Sequence, residues 1–233
     1  MDYDILTPGL HLLKEAPRYI EWIYNTIRPY IGRRIFEVGS GMGYYGNFFK
    51  NFELYCATEI NEEYCGILKK IFSGYNNIKV FKYDIVKEDI GKVSALRIDT
   101  VICIEVLEHI EKDEVALEHM YSILNPGGRL IVCCPAFSFL YGSNDNAIGH
   151  YRRYSKKELV DKLKSAHFCV ERVFFHNLLG VPAWFLNGRI LRRNVASLSQ
   201  IKLFNTIVPF LRVLEKTVSP FIGLNIVAIA KKK

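Results

Sequence analysis

Four acidic residues each stand at or near the end of a short apolar run, where a β-strand would release a side chain into a ligand site. They are Glu37, Glu59, Asp84 and Glu105. In an open α/β sheet the ligand lies beyond the carboxyl ends of the strands, so these carboxylates should converge on one crevice. Carboxylates bind ammonium groups and hydroxyls and repel phosphates. The pattern therefore predicts a pocket for a positively charged, hydroxyl-bearing ligand.

The first of these acids belongs to a glycine-rich segment. Residues 37–46 read Glu-Val-Gly-Ser-Gly-Met-Gly-Tyr-Tyr-Gly, directly after the apolar run 34–36. Glycines at a strand-to-helix turn allow positive φ angles and let a ligand approach backbone N–H groups with no Cβ in the way. The segment indicates a nucleotide-bearing cofactor. A dinucleotide needs a phosphate site, whereas S-adenosylmethionine carries an ammonium, a sulfonium and a ribose diol, which suit the acids better.

In these features the chain resembles the class I S-adenosylmethionine-dependent methyltransferases, of the small-molecule type with Val-Leu-Glu-His after the fourth strand. That tetrapeptide stands at 106–109, and a Leu-Asn-Pro-Gly-Gly-Arg-Leu segment that matches the same family stands at 124–130. The resemblance covers most of residues 30–175. It implies that the protein is a methyltransferase and that its cofactor is S-adenosylmethionine.

The resemblance also implies which residues bind the cofactor. They are Glu37, Gly39, Gly41, Gly43, Glu59, Ile60, Asp84, Ile85, Glu105 and Val106. Among them, Glu59 would bind the ribose hydroxyls and Asp84 the adenine amino group. The loop around Glu105 would line the methionine end of the site.

Two other functions remain open. Glycines at 41, 43 and 46 with an acid at 59 also fit the fingerprint of an NAD-type oxidoreductase. The acid inside the turn, the acid at 84 and the lack of a separate substrate domain argue against that function. A third alternative is a protein that binds S-adenosylmethionine without turnover, and only the aromatic, basic loop described next argues against it.

The connection over 135–154 is about twice the usual length of a loop in an α/β unit and is rich in aromatic residues. Long loops at the ligand end of a sheet commonly carry function. We expect this loop to form a wall of the acceptor site, with Tyr141, Tyr151, Arg152 and Arg153 contacting the acceptor. A guanidinium binds phosphate or carboxylate through two hydrogen bonds, so the arginines favour an anionic acceptor. The alternative is that they anchor the loop to carboxylates of the core.

Methyl transfer requires alignment of the acceptor and, for a hydroxyl or ammonium, removal of a proton. His150 is the first candidate for the base and Asp145 the second. The alternative role for His150 is a structural hydrogen bond that fixes the loop. The expected acceptor atom is an oxygen or nitrogen of a small or lipid-linked compound.

Glu105, Glu108 and His109 form a candidate metal site, since their spacing could place them on one side of a helical turn. Two carboxylates and an imidazole can hold a divalent cation, but a magnesium site needs well-placed oxygen ligands. We expect Glu108 and His109 to order the loop instead, and we predict no metal. The six cysteines contain no C-x-x-C pair, so neither a zinc site nor a disulfide framework is expected.

Apolar runs alternate with helical patterns, which is typical of a parallel sheet built from right-handed crossovers. Helices are predicted at 16–29, 43–52, 61–73, 112–124 and 155–166. Ser155 and Glu158 form a capping box for the last of these. The fold class is α/β: a Rossmann-like, seven-stranded, mostly parallel sheet with helices on both faces. The resemblance supplies the strand number and an antiparallel last strand, predicted at 225–230.

We expect a single methyltransferase domain over residues 1–233. Its parts are an N-terminal helical cap (1–30), the cofactor-binding core (31–175), a helical lid or docking insertion before the last strand (176–222), and the last strand with a basic tail (223–233). Apolar stripes at helical spacing most often pack against a core. The stretch 178–214 could instead cover the acceptor, dock on a partner chain, or lie on a membrane with its arginines toward anionic headgroups.

The composition fits one α/β domain with a full core, because 50% of the 233 residues are hydrophobic. No apolar run reaches the roughly 18–20 residues of a spanning helix, and the N-terminus lacks a signal-peptide layout. We expect a cytoplasmic protein, with a peripheral position at the membrane as a further option. The net charge of +7 is dispersed, so no nucleic-acid partner is expected. The oligomeric state is left open.

Overall fold

The described part of the chain contains one seven-stranded sheet. A computed structural model describes residues 11–194, 197–218 and 220–233. The strands are β1 (Arg34–Val38), β2 (Leu54–Glu59), β3 (Ile78–Lys82), β4 (Ile98–Ile104), β5 (Leu124–Pro135), β6 (Cys169–His176) and β7 (Asn225–Lys231). Their order is β3-β2-β1-β4-β5-β7-β6, and β7 runs antiparallel to both of its neighbours. The predicted seven-stranded, mostly parallel sheet with an antiparallel last strand is confirmed.

Eight α-helices lie in the described residues. They are α1 (Pro17–Ile27), α2 (Glu62–Ile71), α3 (Gly91–Ser94), α4 (Asp113–Ile123), α5 (Ser143–Ala147), α6 (Lys156–Ser165), α7 (Gly180–Phe185) and α8 (Leu198–Val218). A π-helical turn at Leu186–Ile190 continues α7. The predicted helices at 16–29, 61–73, 112–124 and 155–166 are confirmed by α1, α2, α4 and α6. At the start of α6 the Ser155 hydroxyl accepts the Glu158 N–H at 3.1 Å, as the predicted cap requires.

The predicted helix at 43–52 is wrong. Only a 3₁₀ turn at Gly46–Phe49 forms there. Gly41 and Gly43 have φ angles of +52° and +77°, and left-handed residues cannot belong to a right-handed helix. Farther along, the Phe48 ring stacks on Tyr24 of α1 at 4.2 Å between centroids. The glycines that shape the turn thus end the helical conformation that the apolar spacing predicts.

Strand alternation divides the core into two layers, one on each face of the sheet. Phe36 points into the layer covered by α3, α4 and α6. Its neighbour Ile35 points into the layer covered by α1 and α2. Helices therefore lie on both faces, as predicted, and the carboxyl ends of β1 to β4 stay uncovered at one edge.

The described segment between β6 and β7 is largely helical, and its long helix α8 is held to the core. Val208 and Leu211 of α8 pack against Trp22 of α1. Glu215 of α8 accepts the backbone N–H groups of Asn177 and Leu178, just after β6, at 3.1 and 2.5 Å. These bonds fix α8 relative to the end of β6.

Candidate active site

A cleft of about 690 Å³ opens at the carboxyl ends of β1 to β4. Its volume is in the range of about 300–1,000 Å³ that is usual for small-molecule sites. Ten of the predicted site residues line it. They are Gly39, Gly41, Glu59, Ile60, Asp84, Ile85, Glu105, Val106, His150 and Tyr151. The cleft therefore joins most of the predicted cofactor residues to the loop predicted to bind the acceptor.

The glycine-rich turn forms one wall of the cleft and could not accept side chains. Gly39 has a φ angle of +67°, and a Cβ there would lie 2.6 Å from Cγ2 of Val106. Gly41 also has a positive φ, and its N–H donates to Oε2 of Glu59 at 2.9 Å. The turn is thus fastened to the end of β2 through a carboxylate.

Backbone N–H groups hold the two acids that follow β2 and β3. Oε1 of Glu59 accepts the N–H of Ile60 at 2.7 Å and that of Asn61 at 3.0 Å. Oδ1 of Asp84 accepts the N–H of Val86 at 2.9 Å. Carboxylates fixed in this way are oriented before a ligand arrives, which lowers the entropy cost of binding hydroxyl or amino groups.

Glu105 occupies the centre of the cleft in a rare backbone conformation. Its φ angle is +52°, and its Oε1 accepts the side-chain N–H of Asn225 at 2.7 Å. The Tyr19 hydroxyl donates to Oδ1 of the same asparagine at 3.2 Å. Burial raises the pKa of Glu105 to about 7. Strained backbone and perturbed carboxyls often mark functional sites.

Two predicted cofactor residues do not line the cleft. Glu37 lies on the same face of β1 as Ile35, because side chains alternate along a strand, and its carboxylate accepts the buried Tyr55 hydroxyl. Gly43 faces α2, where a Cβ would lie 2.9 Å from Cδ2 of Leu68. Both residues therefore shape the turn rather than contact a ligand.

The cleft fits S-adenosylmethionine better than a dinucleotide. Four carboxylates line it, from Glu59, Asp84, Glu105 and Glu111, beside two lysines at 87 and 112, and no described arginine does. The N–H groups of Ser40, Gly41 and Gly43 are already bonded within the protein, so the turn offers few donors to a pyrophosphate. No α-helix follows the turn to supply an anion-binding N-terminus. The charge pattern instead matches an ammonium, a sulfonium and ribose hydroxyls.

His150 lies on the cleft wall and is held from behind by Asp145. Its Nδ1 donates to Oδ1 of that carboxylate at 2.8 Å. Burial lowers the pKa of His150, against the opposing effect of Asp145, so the ring is neutral near pH 7. Because Nδ1 carries the hydrogen, Nε2 presents a lone pair. This geometry suits a base or a ligand.

The structure places Asp145 behind the cleft rather than in it, which corrects its candidacy as a base. Its carboxylate is fully buried and accepts four bonds, from His150, Arg153, the Gly142 N–H and the Trp184 indole. Burial alone would raise its pKa, but His150 and Arg153 hold the pKa of Asp145 below its ordinary value. It is a charged positioning residue for His150.

The two arginines predicted to bind the acceptor instead anchor the loop. The Arg153 guanidinium is buried and donates to Asp145 at 2.8 Å and to the Ala136 carbonyl at 3.0 Å. Arg152 pairs with Asp113 at 2.9 Å. This is the anchoring alternative, and it removes the sequence argument for an anionic acceptor.

The two predicted tyrosines of the loop differ in placement. The Tyr141 hydroxyl donates within the loop, to the His150 carbonyl at 2.7 Å, and does not line the cleft. Tyr151 lines the cleft and is 44% exposed. Of the four predicted acceptor contacts, Tyr151 is the one that the geometry brings to the cleft.

The side chains that the structure groups as candidate metal ligands differ from those that the sequence suggests. Ligand atoms of Glu108, His109 and His150 lie within 4.8 Å of one another. Glu105 is not part of this group. His150 takes the place of Glu105 in this group for a structural reason. The segment forms only a short 3₁₀ turn at Leu107–His109, and the loop over 135–154 places His150 beside that turn.

Several lining residues were missed by the sequence reasoning. They include Leu13, Asn61, Tyr64, Tyr83, Lys112 and Ile148. Asn61 lies two residues after the acid that ends β2, so its position in the chain was an available signal. Ile148 and Leu13 reach the cleft by tertiary folding alone, and their sequence neighbourhoods carry no signal for a ligand.

Part of the chain is similar to a known family. A family model described as a methyltransferase domain matches residues 36–130, which span β1 to β5. No curated protein sequence matches the chain.

Solved structures share the fold at low sequence identity. An S-adenosylmethionine-dependent methyltransferase from Mesorhizobium loti has a TM-score of 0.63 and 12% identity, covering 91% of this chain and 98% of its own. One from Archaeoglobus fulgidus has a TM-score of 0.60 and 18% identity, covering 92% and 94%. The N-methyltransferase NodS from Bradyrhizobium japonicum, in complex with S-adenosyl-L-homocysteine, has a TM-score of 0.57 and 12% identity, covering 97% and 90%. These identities support the fold.

Proposed function

We propose that this chain is an S-adenosylmethionine-dependent methyltransferase and that it transfers the methyl group to an oxygen or nitrogen of a small or lipid-linked acceptor beside His150. The bound cofactor supplies a methyl group on a sulfonium, an activated leaving group. The protein must hold the acceptor in line and take up its proton. The observation that carries the proposal is the His150–Asp145 pair on the wall of the carboxylate-lined cleft.

The residues divide between cofactor and acceptor. Glu59 and Asp84 would hold the ribose hydroxyls and the adenine amino group, because their carboxylates are fixed at the ends of β2 and β3. Glu105 would face the ammonium of the methionine end, which favours its ionised form. Tyr151 would contact the acceptor next to His150, whose Nε2 accepts the departing proton.

A lipid-linked acceptor is supported by an apolar surface on α8. Leu203, Phe210 and Val213 are 65%, 68% and 66% exposed. Residues 180–218 contain six basic side chains and one acid, Glu215, which is buried. Apolar side chains beside basic ones suit the surface of an anionic bilayer. None of the described helices is both long and apolar enough to cross a membrane.

The proposal is tested by turnover of radiolabelled S-adenosylmethionine with three acceptors: a polyprenyl-linked sugar phosphate, a free sugar phosphate and a primary amine. His150→Asn should abolish methyl transfer and leave the affinity for S-adenosylhomocysteine, measured by calorimetry, nearly unchanged. Full turnover by His150→Asn would contradict the proposed base.

The two remaining functions give different results in the same experiments. An oxidoreductase would bind NAD and not S-adenosylhomocysteine. A non-catalytic protein would bind S-adenosylhomocysteine and show no transfer to any acceptor class. Micromolar binding of S-adenosylhomocysteine with measurable transfer would exclude both.

A further inference from the structure

Behind two histidines of the cleft wall, His109 and His150, lies a buried carboxylate that the protein leaves unsatisfied. Glu108 is 0% exposed, and neither of its oxygens accepts a hydrogen bond from any described donor. The nearest imidazole nitrogen, Nε2 of His150, lies 3.7 Å from Oε1 of Glu108. A buried carboxylate without donors is strongly unfavourable, because it has lost its hydration and gained no replacement. A partner outside the protein chain would remove that cost.

Each of the two neighbouring histidines has one ring nitrogen available for coordination. Nδ1 of His109 faces the Gly149 carbonyl at 3.3 Å, and Nδ1 of His150 faces Asp145 at 2.8 Å. Carbonyl and carboxylate oxygens only accept, so each Nδ1 carries the hydrogen and each Nε2 is free to coordinate. Histidine ligands of metals almost always donate their other N–H to a carboxylate or a carbonyl.

The donor set defines the kind of ligand. Two neutral imidazoles and one carboxylate suit a first-row transition metal and leave coordination positions open, whereas Mg²⁺ prefers oxygen ligands. The ligand atoms lie within 4.8 Å of one another. Because metal–ligand distances are about 2.0–2.2 Å, shifts of about 1 Å would bring the three side chains into coordination.

We propose that Glu108, His109 and His150 bind a divalent transition-metal ion that orients a hydroxyl group of the acceptor. The inference rests on the proposed methyl transfer and changes one step of it, because His150 then acts as a metal ligand rather than as the base.

A metal-bound hydroxyl loses its proton to water more readily than a free one. The acceptor oxygen then forms the new O–CH₃ bond as the sulfonium C–S bond breaks, which leaves a neutral thioether. A nitrogen acceptor would lose its lone pair to the metal and could not attack. The metal therefore selects oxygen acceptors.

Shared protonation of two acids is the competing explanation for Glu108. Burial, together with the neighbouring Glu105, raises the pKa of Glu108 well above its ordinary value. A proton shared between the two carboxyls would satisfy an oxygen of Glu108. It would not account for the two imidazoles, from the 3₁₀ turn and from the loop, whose ligand atoms lie within 4.8 Å of the carboxylate.

The test is calorimetric titration of the chelator-stripped protein with MnCl₂, ZnCl₂ and MgCl₂. We expect one Mn²⁺ or Zn²⁺ per chain and weaker binding of Mg²⁺. Glu108→Gln and His109→Gln should each weaken binding at least about tenfold. Asp145→Asn, which replaces the carboxylate that accepts the Nδ1 hydrogen of His150, should weaken it about 10- to 100-fold. The matched control is His167→Asn at an exposed histidine, which should bind as the unmodified protein does.

Each variant is also titrated with S-adenosylhomocysteine, which reports folding and the cofactor pocket without the metal. The inference is overturned if the unmodified protein binds neither Mn²⁺ nor Zn²⁺. It is equally overturned if both ligand variants keep full affinity, or if the stripped enzyme in EDTA keeps full turnover. Metal binding with no transfer to any acceptor would instead contradict the proposed function and leave the metal site standing.

Discussion

The Gly41 position shows how a single backbone conformation builds the cofactor site. Its positive φ turns the N–H toward Glu59, and a side chain would strain that conformation. Gly41→Val should therefore abolish binding of S-adenosylhomocysteine in calorimetry. Gly66→Ala is the control, since nothing lies within 4 Å of a Cβ there. Unchanged affinity of Gly41→Val would mean that the cofactor site lies elsewhere.

His176 carries a prediction about acid stability. It is buried against Trp22, and its ring nitrogens have no hydrogen-bond partner among the described residues. Burial lowers the pKa of His176 to about 3, whereas an unfolded histidine has a pKa of about 6.5. Between these values the unfolded state binds the extra proton, so stability falls as the pH drops below about 6.5.

The size of this effect can be measured by substitution. From pH 7 to pH 5, His176 should account for a loss of about 2 kcal/mol in the free energy of unfolding. Urea denaturation at both pH values should show a smaller loss for His176→Phe, while the exposed His167→Asn follows the unmodified protein. Parallel losses in all three proteins would contradict the assignment.

At the level of single residues, the sequence predicted which acidic side chains reach the cleft. It did not always predict which polar side chains are already bonded within the protein. Glu59, Asp84 and Glu105 stand at or just after the ends of strands and reach the cleft, because the carboxyl ends of parallel strands meet at one edge of the sheet. Glu37 points the other way, since it lies inside β1 and obeys the alternation of the strand. The partners of Arg152 and Arg153 come from distant parts of the chain, so composition could not identify them.

Among the elements, α8 is bonded to the end of β6 through a single acidic side chain. Glu215 accepts two backbone N–H groups at the end of β6, and it is largely buried. Glu215→Ala should lower the free energy of unfolding by about 1–3 kcal/mol, because two donors lose their acceptor. Lys216→Ala, at the next and exposed position, should change it little. Equal stability of the two variants in urea denaturation would show that α8 is held by its apolar contacts alone.

Helices with a cap and a regular apolar pattern could be predicted from the sequence. Segments whose conformation depends on unusual φ angles or on contacts with distant residues could not. Helix α6 has a serine cap and a regular apolar pattern, and it begins where the sequence places it. The segment 43–52 is predicted as a helix, but left-handed glycines at 41 and 43 shape its start and only a 3₁₀ turn forms. The short helix α5 was not predicted, because Ser143–Ala147 has no apolar stripe and is held by its bonds to the rest of the loop.

For the whole molecule, the exposed face of α8 predicts attachment to anionic vesicles. The unmodified protein should sediment with phosphatidylglycerol vesicles and much less with phosphatidylcholine vesicles, since basic residues flank the apolar face. Removing two large apolar side chains in Leu203→Ser/Phe210→Ser should lower the partition coefficient at least about tenfold.

The control for that experiment is Ile71→Ser on α2, which removes an apolar side chain of 42% exposure from a different helix. It should sediment as the unmodified protein does. Equal binding of all three proteins, or none by the unmodified protein, would contradict a membrane role for α8.

The position of β7 has a consequence for how the protein is made. This strand lies between β5 and β6 although it follows both in the chain. While a ribosome is still adding residues before 225, the parallel strands β1 to β5 can assemble, but β6 has no strand to pair with. The nascent chain must therefore carry β6 without a strand partner for more than forty residues of synthesis, a period when unpaired strands invite aggregation and chaperone binding. Asn225, which bonds to Glu105, joins the cleft in that same late step.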